Sequence, residues 1–253
     1  MVYDLQKASL WKRFAAWLFD SILVGILVVG IAFLLSSALH YDQYSDTVTD
    51  TYAKYEAEYG VTFNVSQQEY ESWPEEKRNT YDQAYEKLIH DEKAMYAYNM
   101  VVNLTMMIST LSILISVLAL DFIVPFFFKN GQTFGKKIFG LCVVSNNCVK
   151  MKPVQLFART IIGKFAVETT IPVYILLMLF WGITDLTGTL VLGALLLFEI
   201  IVIIATRHNA AIHDLLASTA VADYNSQMIF NTQEELIEFK KKVHAERAAR
   251  QEY

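Results

Sequence analysis

The chain has 253 residues, 54% of them hydrophobic and 19% charged, with a formal net charge of −5 and a mean hydropathy of +0.31. Apolar runs of about 20 residues and more exclude an ordinary soluble domain, whose core segments are shorter and interrupted. The acidic balance, with no basic reading motif, excludes nucleic acid as a partner, and two cysteines without histidines at ligand spacing exclude a metal site of the zinc type.

The first apolar run, Phe14 to Leu39, follows Lys7, Lys12 and Arg13. A signal peptide shares such a flank, but this run is too long for one and carries Asp20, so residues 1–40 are read as a basic N-terminus and a retained transmembrane helix. Residues 41–97 hold 13 acids against 5 bases and read as an acidic helical insertion outside the membrane. Asp42 to Tyr59 reads as one helix, broken at Gly60. Trp73-Pro74-Glu75-Glu76 starts another, with proline in the first turn and acids at the positive end of the dipole. Tyr81, Tyr85, Leu88 and Ile89 follow at helical spacing. Two helices extending the first and second spans outward are expected. They form either a partner-binding cap or a solvated hairpin over the outer mouth.

The second run covers residues 98–128. At 100° per residue, Asn99, Asn103, Thr110 and Asp121 fall within about 40° of one another. Such a stripe either lines a path for ions or water or supplies hydrogen bonds between helices. Pro125 has no N–H, so a carbonyl one turn earlier is freed, to ligate a cation or to bend the helix. In residues 129–164, Asn130-Gly131 signals a turn, and Phe134, Ile138, Phe139 and Leu141 alternate with Lys136 and Lys137. This amphipathic stretch suits the headgroup region, with Lys136 and Lys137 as lipid headgroup candidates. Leu141 to Val144 and Val149 to Met151, around Asn146-Asn147, predict a short hairpin.

Residues 165–205 contain the third run, Phe165 to Trp181, and the fourth, Leu186 to Ala205, which carries Glu199. In residues 206–253, Asp214 precedes Leu215-Leu216-Ala217 and suits the cap of a helix. No nucleophile motif accompanies His213-Asp214, so no catalytic residue, cofactor or enzymatic activity is expected. Thr232-Gln-Glu-Glu235 is a capping-box pattern, and a helix from Gln233 to Gln251 is predicted, with Leu236, Phe239, Lys240 and Val243 on one face.

Four spans put both termini on one side, together with 16 of the 21 lysines and arginines. That side is therefore cytoplasmic. The predicted fold is an all-α polytopic membrane protein with four transmembrane helices, an extracytoplasmic helical insertion and a cytoplasmic C-terminal helix, in a bacterial cell membrane. Asp20, Asp121 and Glu199 then share a depth near the cytoplasmic leaflet. An ionisable group in a span marks function or an ion pair. Arg13 and Asp20 lie about 10 Å apart along their helix, so Asp20 needs another partner. For Glu199 the candidate partners are Arg13, Lys136, Arg159, Lys164 and Arg207.

Four segments carry a resemblance: Lys12-Arg13-Phe-Ala-Ala-Trp-Leu-Phe-Asp20, Gly131-Gln-Thr-Phe-Gly-Lys-Lys-Ile-Phe-Gly-Leu-Cys-Val-Val144, Leu156-Phe-Ala-Arg159, and Ile212-His213-Asp214-Leu-Leu-Ala-Ser-Thr219-Ala-Val221. In this order they resemble the RDD family of membrane proteins over residues 7 to 40 and 98 to 223, with residues 41–97 as an insertion. The resemblance maps the family's arginine to Arg13, its first aspartate to Asp20 and its second to Asp214. It implies either a cation/proton transporter, or a subunit of one, or an accessory scaffold. Two function classes follow. In one, the carboxylates move small cations or protons. In the other they are static ion pairs, and residues 41–97 with the C-terminal helix bind a protein partner. A four-span chain is small for a carrier, so a homo-oligomer or another membrane protein is the expected partner, besides the lipid bilayer.

Overall fold

A computed structural model describes residues 5–128, 130–168, 174, 178, 186–206 and 209–251. Helix α1 is Leu10–Ala38, apolar along nearly its whole length. The long helix of the second run is α5, Glu92–Val117, continuing through a π-helical turn, Leu118–Ile123, into α6, Val124–Phe128. The last apolar helix, α9, is Leu186–Ala205. Among the described residues, Leu10–Ala38, Glu92–Phe128 and Gly188–Ala205 are long and apolar enough to cross a membrane. Most of the third run lies outside the described residues.

The chain divides into two compact units, Met1–Leu27 with Ile113–Tyr253, and Val28–Ser112. In the second unit the insertion contains three helices where two were expected: α2 Tyr41–Tyr59, α3 Gln67–Ser72 and α4 Glu75–Ile89. The short α3 starts at Ser66, whose hydroxyl accepts from the Glu69 amide at 3.2 Å. Ser-Gln-Gln-Glu is a capping pattern that a reading focused on longer periodicity passes over. Nor do α2 and α4 continue the spans. His40 adopts a left-handed conformation between α1 and α2 (φ 53°), and Asp91 caps α5 by accepting from the Lys93 and Ala94 amides, each at 3.0 Å. Tyr55, Leu88 and Ala94 form a small core with Tyr52, Tyr59 and Phe63, and the Tyr55 hydroxyl donates to Asp91.

The first unit is not all-α. Strand β1, Leu141–Ser145, pairs antiparallel with β2, Thr219–Asp223, from Leu141 opposite Asp223 to Ser145 opposite Thr219. The predicted local hairpin is short: it turns at Asn146-Asn147, with the Ser145 amide donating to the Val149 carbonyl at 2.9 Å and one antiparallel bridge between Val144 and Lys150. Both strands read almost wholly apolar and are buried on both faces, a burial that a three-residue local partner cannot supply. Lys7 adds a bridge to Ala222, and Lys12 forms an ion pair with Asp223 at 2.7 Å. Three short helices surround this sheet: α7 Phe134–Ile138, α8 Pro153–Phe157 and α10 Ile212–Leu216. A π-helical segment, Ala158–Glu168, follows α8. Helix α11, Gln233–Gln251, lays Leu236, Phe239 and Val243 against Cys148, Val149 and Phe230.

Candidate functional site

The motif segments meet in one buried charged cluster. After Gly131, which takes a left-handed turn (φ 61°), Gln132 turns its amide to the Leu141 carbonyl at 2.6 Å. Thr133 caps α7 by accepting from the Lys136 amide at 3.3 Å. The Thr133 hydroxyl donates to Asp20 Oδ2 at 2.5 Å, and the Gly135 amide donates to Asp20 Oδ1 at 2.8 Å. These are the partners that Asp20 required from outside its own helix. Gly135 is needed for the approach: a Cβ there would run into the Ala16 carbonyl oxygen and stand 3.0 Å from the Asp20 carboxylate. Asp20 forms no ion pair among the described residues. Lys136 Nζ donates to the same Thr133 hydroxyl at 3.3 Å, so one oxygen links Lys136 to Asp20.

Asp214, wholly buried, is held by two cations. Arg159 Nη2 lies 3.0 Å from Oδ1 and Arg13 Nη2 3.4 Å from Oδ2. The Thr219 hydroxyl and the Ala211 amide also donate to its carboxylate, each at 3.4 Å. The second bond gives Asp214 the capping role expected of it, from the third residue of α10 back to the residue before the helix. Arg13 also donates to the Asn209 carbonyl, and His213 Nε2 lies 3.1 Å from Arg159. Gly163 lets α10 come close, since a Cβ there would stand 2.5 Å from that of His213. Burial opposes ionisation of Asp214, but Arg159, His213, Arg13 and Lys136 outweigh it and hold the carboxyl below the usual carboxylate range.

Asp121 pairs with Lys164 at 2.6 Å. Its backbone carbonyl, the one Pro125 cannot engage, accepts from the Thr160 hydroxyl at 3.0 Å. The freed carbonyl is thus occupied by a side chain, and the π-helical turn before Pro125 absorbs the misfit. Asn99, Asn103 and Thr110 are exposed, and Asp121 is buried.

Lys136 stands within the field of Arg159, Lys164, Asp20, Asp121 and Asp214. Burial, with Arg159 and Lys164, pushes its ammonium down to about 8, against the pull of Asp20 and Asp121. Lys137 is exposed and lies 4.2 Å over the Phe128 ring. Glu199 is half-exposed on α9. Of the cations proposed for it, Arg207 lies outside the described residues.

The structure thus joins Arg13, Asp20, Asp121, Arg159 and Asp214, and adds Thr133, Gly135, Lys164 and His213. Thr133 and Gly135 had a signal in the sequence: a capping threonine two residues before a glycine, followed by the lysine pair Lys136-Lys137. Lys164 stood in the sequence only as a possible partner of Glu199, and His213 only as part of the His213-Asp214 segment. No group of His, Cys, Asp and Glu among the described residues has metal-ligand geometry.

No curated protein and no solved structure matches the chain. The model of the RDD family matches residues 7–218, a stretch that holds every charged residue of the cluster. The chain belongs to the RDD family and is an integral membrane protein.

Proposed function

We propose that the protein couples a small cation to a proton, as a transporter or as a subunit of one, with Asp20 as the exchanging carboxylate. In this reading four spans leave both termini in the cytoplasm of a bacterial cell, and the cluster lies toward the cytoplasmic leaflet. One observation carries it. Asp20 is buried in the first span, yet its bonds come from a hydroxyl and an amide, with no cation in contact among the described residues. Asp214 and Asp121 have cations in contact and act as fixed ion pairs. Lys136, one hydroxyl away from Asp20, is the group that changes charge. When it releases its proton, the Asp20 site gains one net negative charge and a cation becomes the favoured occupant.

Purified protein in liposomes tests this, by comparing cation and proton flux in the parent with Asp20→Asn and Glu199→Gln. Loss of flux in Asp20→Asn is expected. Absence of flux in the parent, or flux unchanged in both variants, would sink the reading. The alternative is a non-transporting scaffold that binds a protein partner. The apolar face of the C-terminal helix is used within the chain, which leaves the insertion as the partner surface, with Tyr85 and Tyr96 exposed on it. Capture of a membrane partner that depends on residues 41–97, without flux, would favour that reading.

A further inference from the structure

An open cavity of about 310 Å³ lies apart from the charged cluster, at the end of the second apolar helix. Its apolar wall is Pro125, Phe126, Met151 and Leu156, and its basic side is Lys150 and Lys152. Neither lysine forms an ion pair among the described residues. Glu234 lies within the field of Lys152. The surface around the cavity is apolar: Phe126 is 55% exposed, Phe127 73%, Val154 76% and Phe157 50%. Phe157 is tied to the span by an edge contact with Phe122, with centroids 6.3 Å apart. The wall and its surround thus continue the lipid-facing surface of the helix, while the two ammonium groups mark its polar edge. Lysines at the end of a span commonly run their stems along apolar surface and hold the charge at headgroup level. A cavity of this size is at the lower bound of small-molecule sites. It suits a headgroup and the first carbons of a chain rather than a whole lipid.

We propose that this cavity binds an anionic phospholipid, its phosphate between Lys150 and Lys152 and its acyl chain along Phe126, Leu156 and Phe157. A soluble anion would use the lysines but leave the apolar wall bare. A zwitterionic lipid would use the wall but bring a choline cation to the two lysines. The charge and the wall together therefore select an anionic lipid. Each lysine near an anionic headgroup contributes about a fivefold preference, so removing both lowers affinity by about 25-fold.

The test uses the full chain in detergent, titrated with phosphatidylglycerol or phosphatidylcholine and read by native mass spectrometry. The variants are Lys150→Gln/Lys152→Gln, the wall variant Met151→Trp, and Lys241→Gln/Lys242→Gln on the C-terminal helix as a control of equal charge. Melting midpoints verify that each variant is folded. Phosphatidylglycerol is expected to bind the parent and the control, to weaken about 25-fold in the first variant, and to be displaced from Met151→Trp. Equal binding of phosphatidylcholine, an equal loss in the control, or binding unchanged in Met151→Trp would overturn the proposal. Displacement of the lipid by inorganic phosphate alone would overturn it too, since the site would then read phosphate and not lipid.

Discussion

Replacing Asp214 by Asn keeps the shape of the side chain and removes its charge. It leaves Arg13 and Arg159, which approach it at 3.4 and 3.0 Å and whose side chains are 14% and 8% exposed, without their counter-ion. Arg159 has little slack, because its Nη1 is already buried without a hydrogen-bond partner among the described residues. Removing one partner of a buried pair costs about 3–5 kcal/mol, because the remaining charge stays desolvated. For a chain of this size that is a fall in melting midpoint of about 6–20 °C. The assay is intrinsic fluorescence of the 4 tryptophans during heating of detergent-purified protein. Asp214→Leu combined with Arg159→Met is expected to recover part of the loss, since one stranded cation goes with its partner. A midpoint within about 2 °C of the parent for Asp214→Asn, under about 1 kcal/mol, would refute the claim that the cluster is both buried and ionised.

Gly135→Ala places a methyl group against the Ala16 carbonyl and the Asp20 carboxylate, and about 1–3 kcal/mol of destabilisation is expected. Gly30→Ala, with nothing within 4 Å of the new carbon, leaves the midpoint unchanged, and equal midpoints for the two variants would count against the close approach. Lys136, methylated with carbon-13 and followed by NMR, titrates near pH 8 rather than at the ordinary 10.5. The unfolded chain then holds this proton between those two values while the folded chain has released it. Stability therefore rises with pH across that window, and Lys136→Met flattens the rise. Burial pushes the Cys142 thiol up to about 12, so a maleimide leaves it unlabelled at neutral pH until denaturant is added. Labelling of the folded protein would show that the sheet opens.

The helices at Tyr41–Tyr59, Glu75–Ile89 and Gln233–Gln251 follow local rules that act within one turn: a break at a glycine, acids in a first turn, a capping box. Legibility failed where a local pattern has two outcomes. Leu141 to Val144 reads as a strand in any context. Its main partner is Thr219–Asp223 rather than Val149 to Met151, because burial of both strand faces decides pairing and sequence distance does not.

By itself the sequence determined the membrane class and the residues worth weighing. Hydropathy is a local sum, and a carboxylate inside an apolar run stands out whatever surrounds it. Only the tertiary structure decided what each carboxylate does. Arg13 meets Asp214 across 201 residues and Gly135 meets Asp20 across 115. Asp20 and Asp214 look alike as residue types, yet one is held by neutral donors and the other by two guanidinium groups. That difference sets which can exchange its partner, and it arises from how short helices of the loops pack beneath the spans, which no periodicity records.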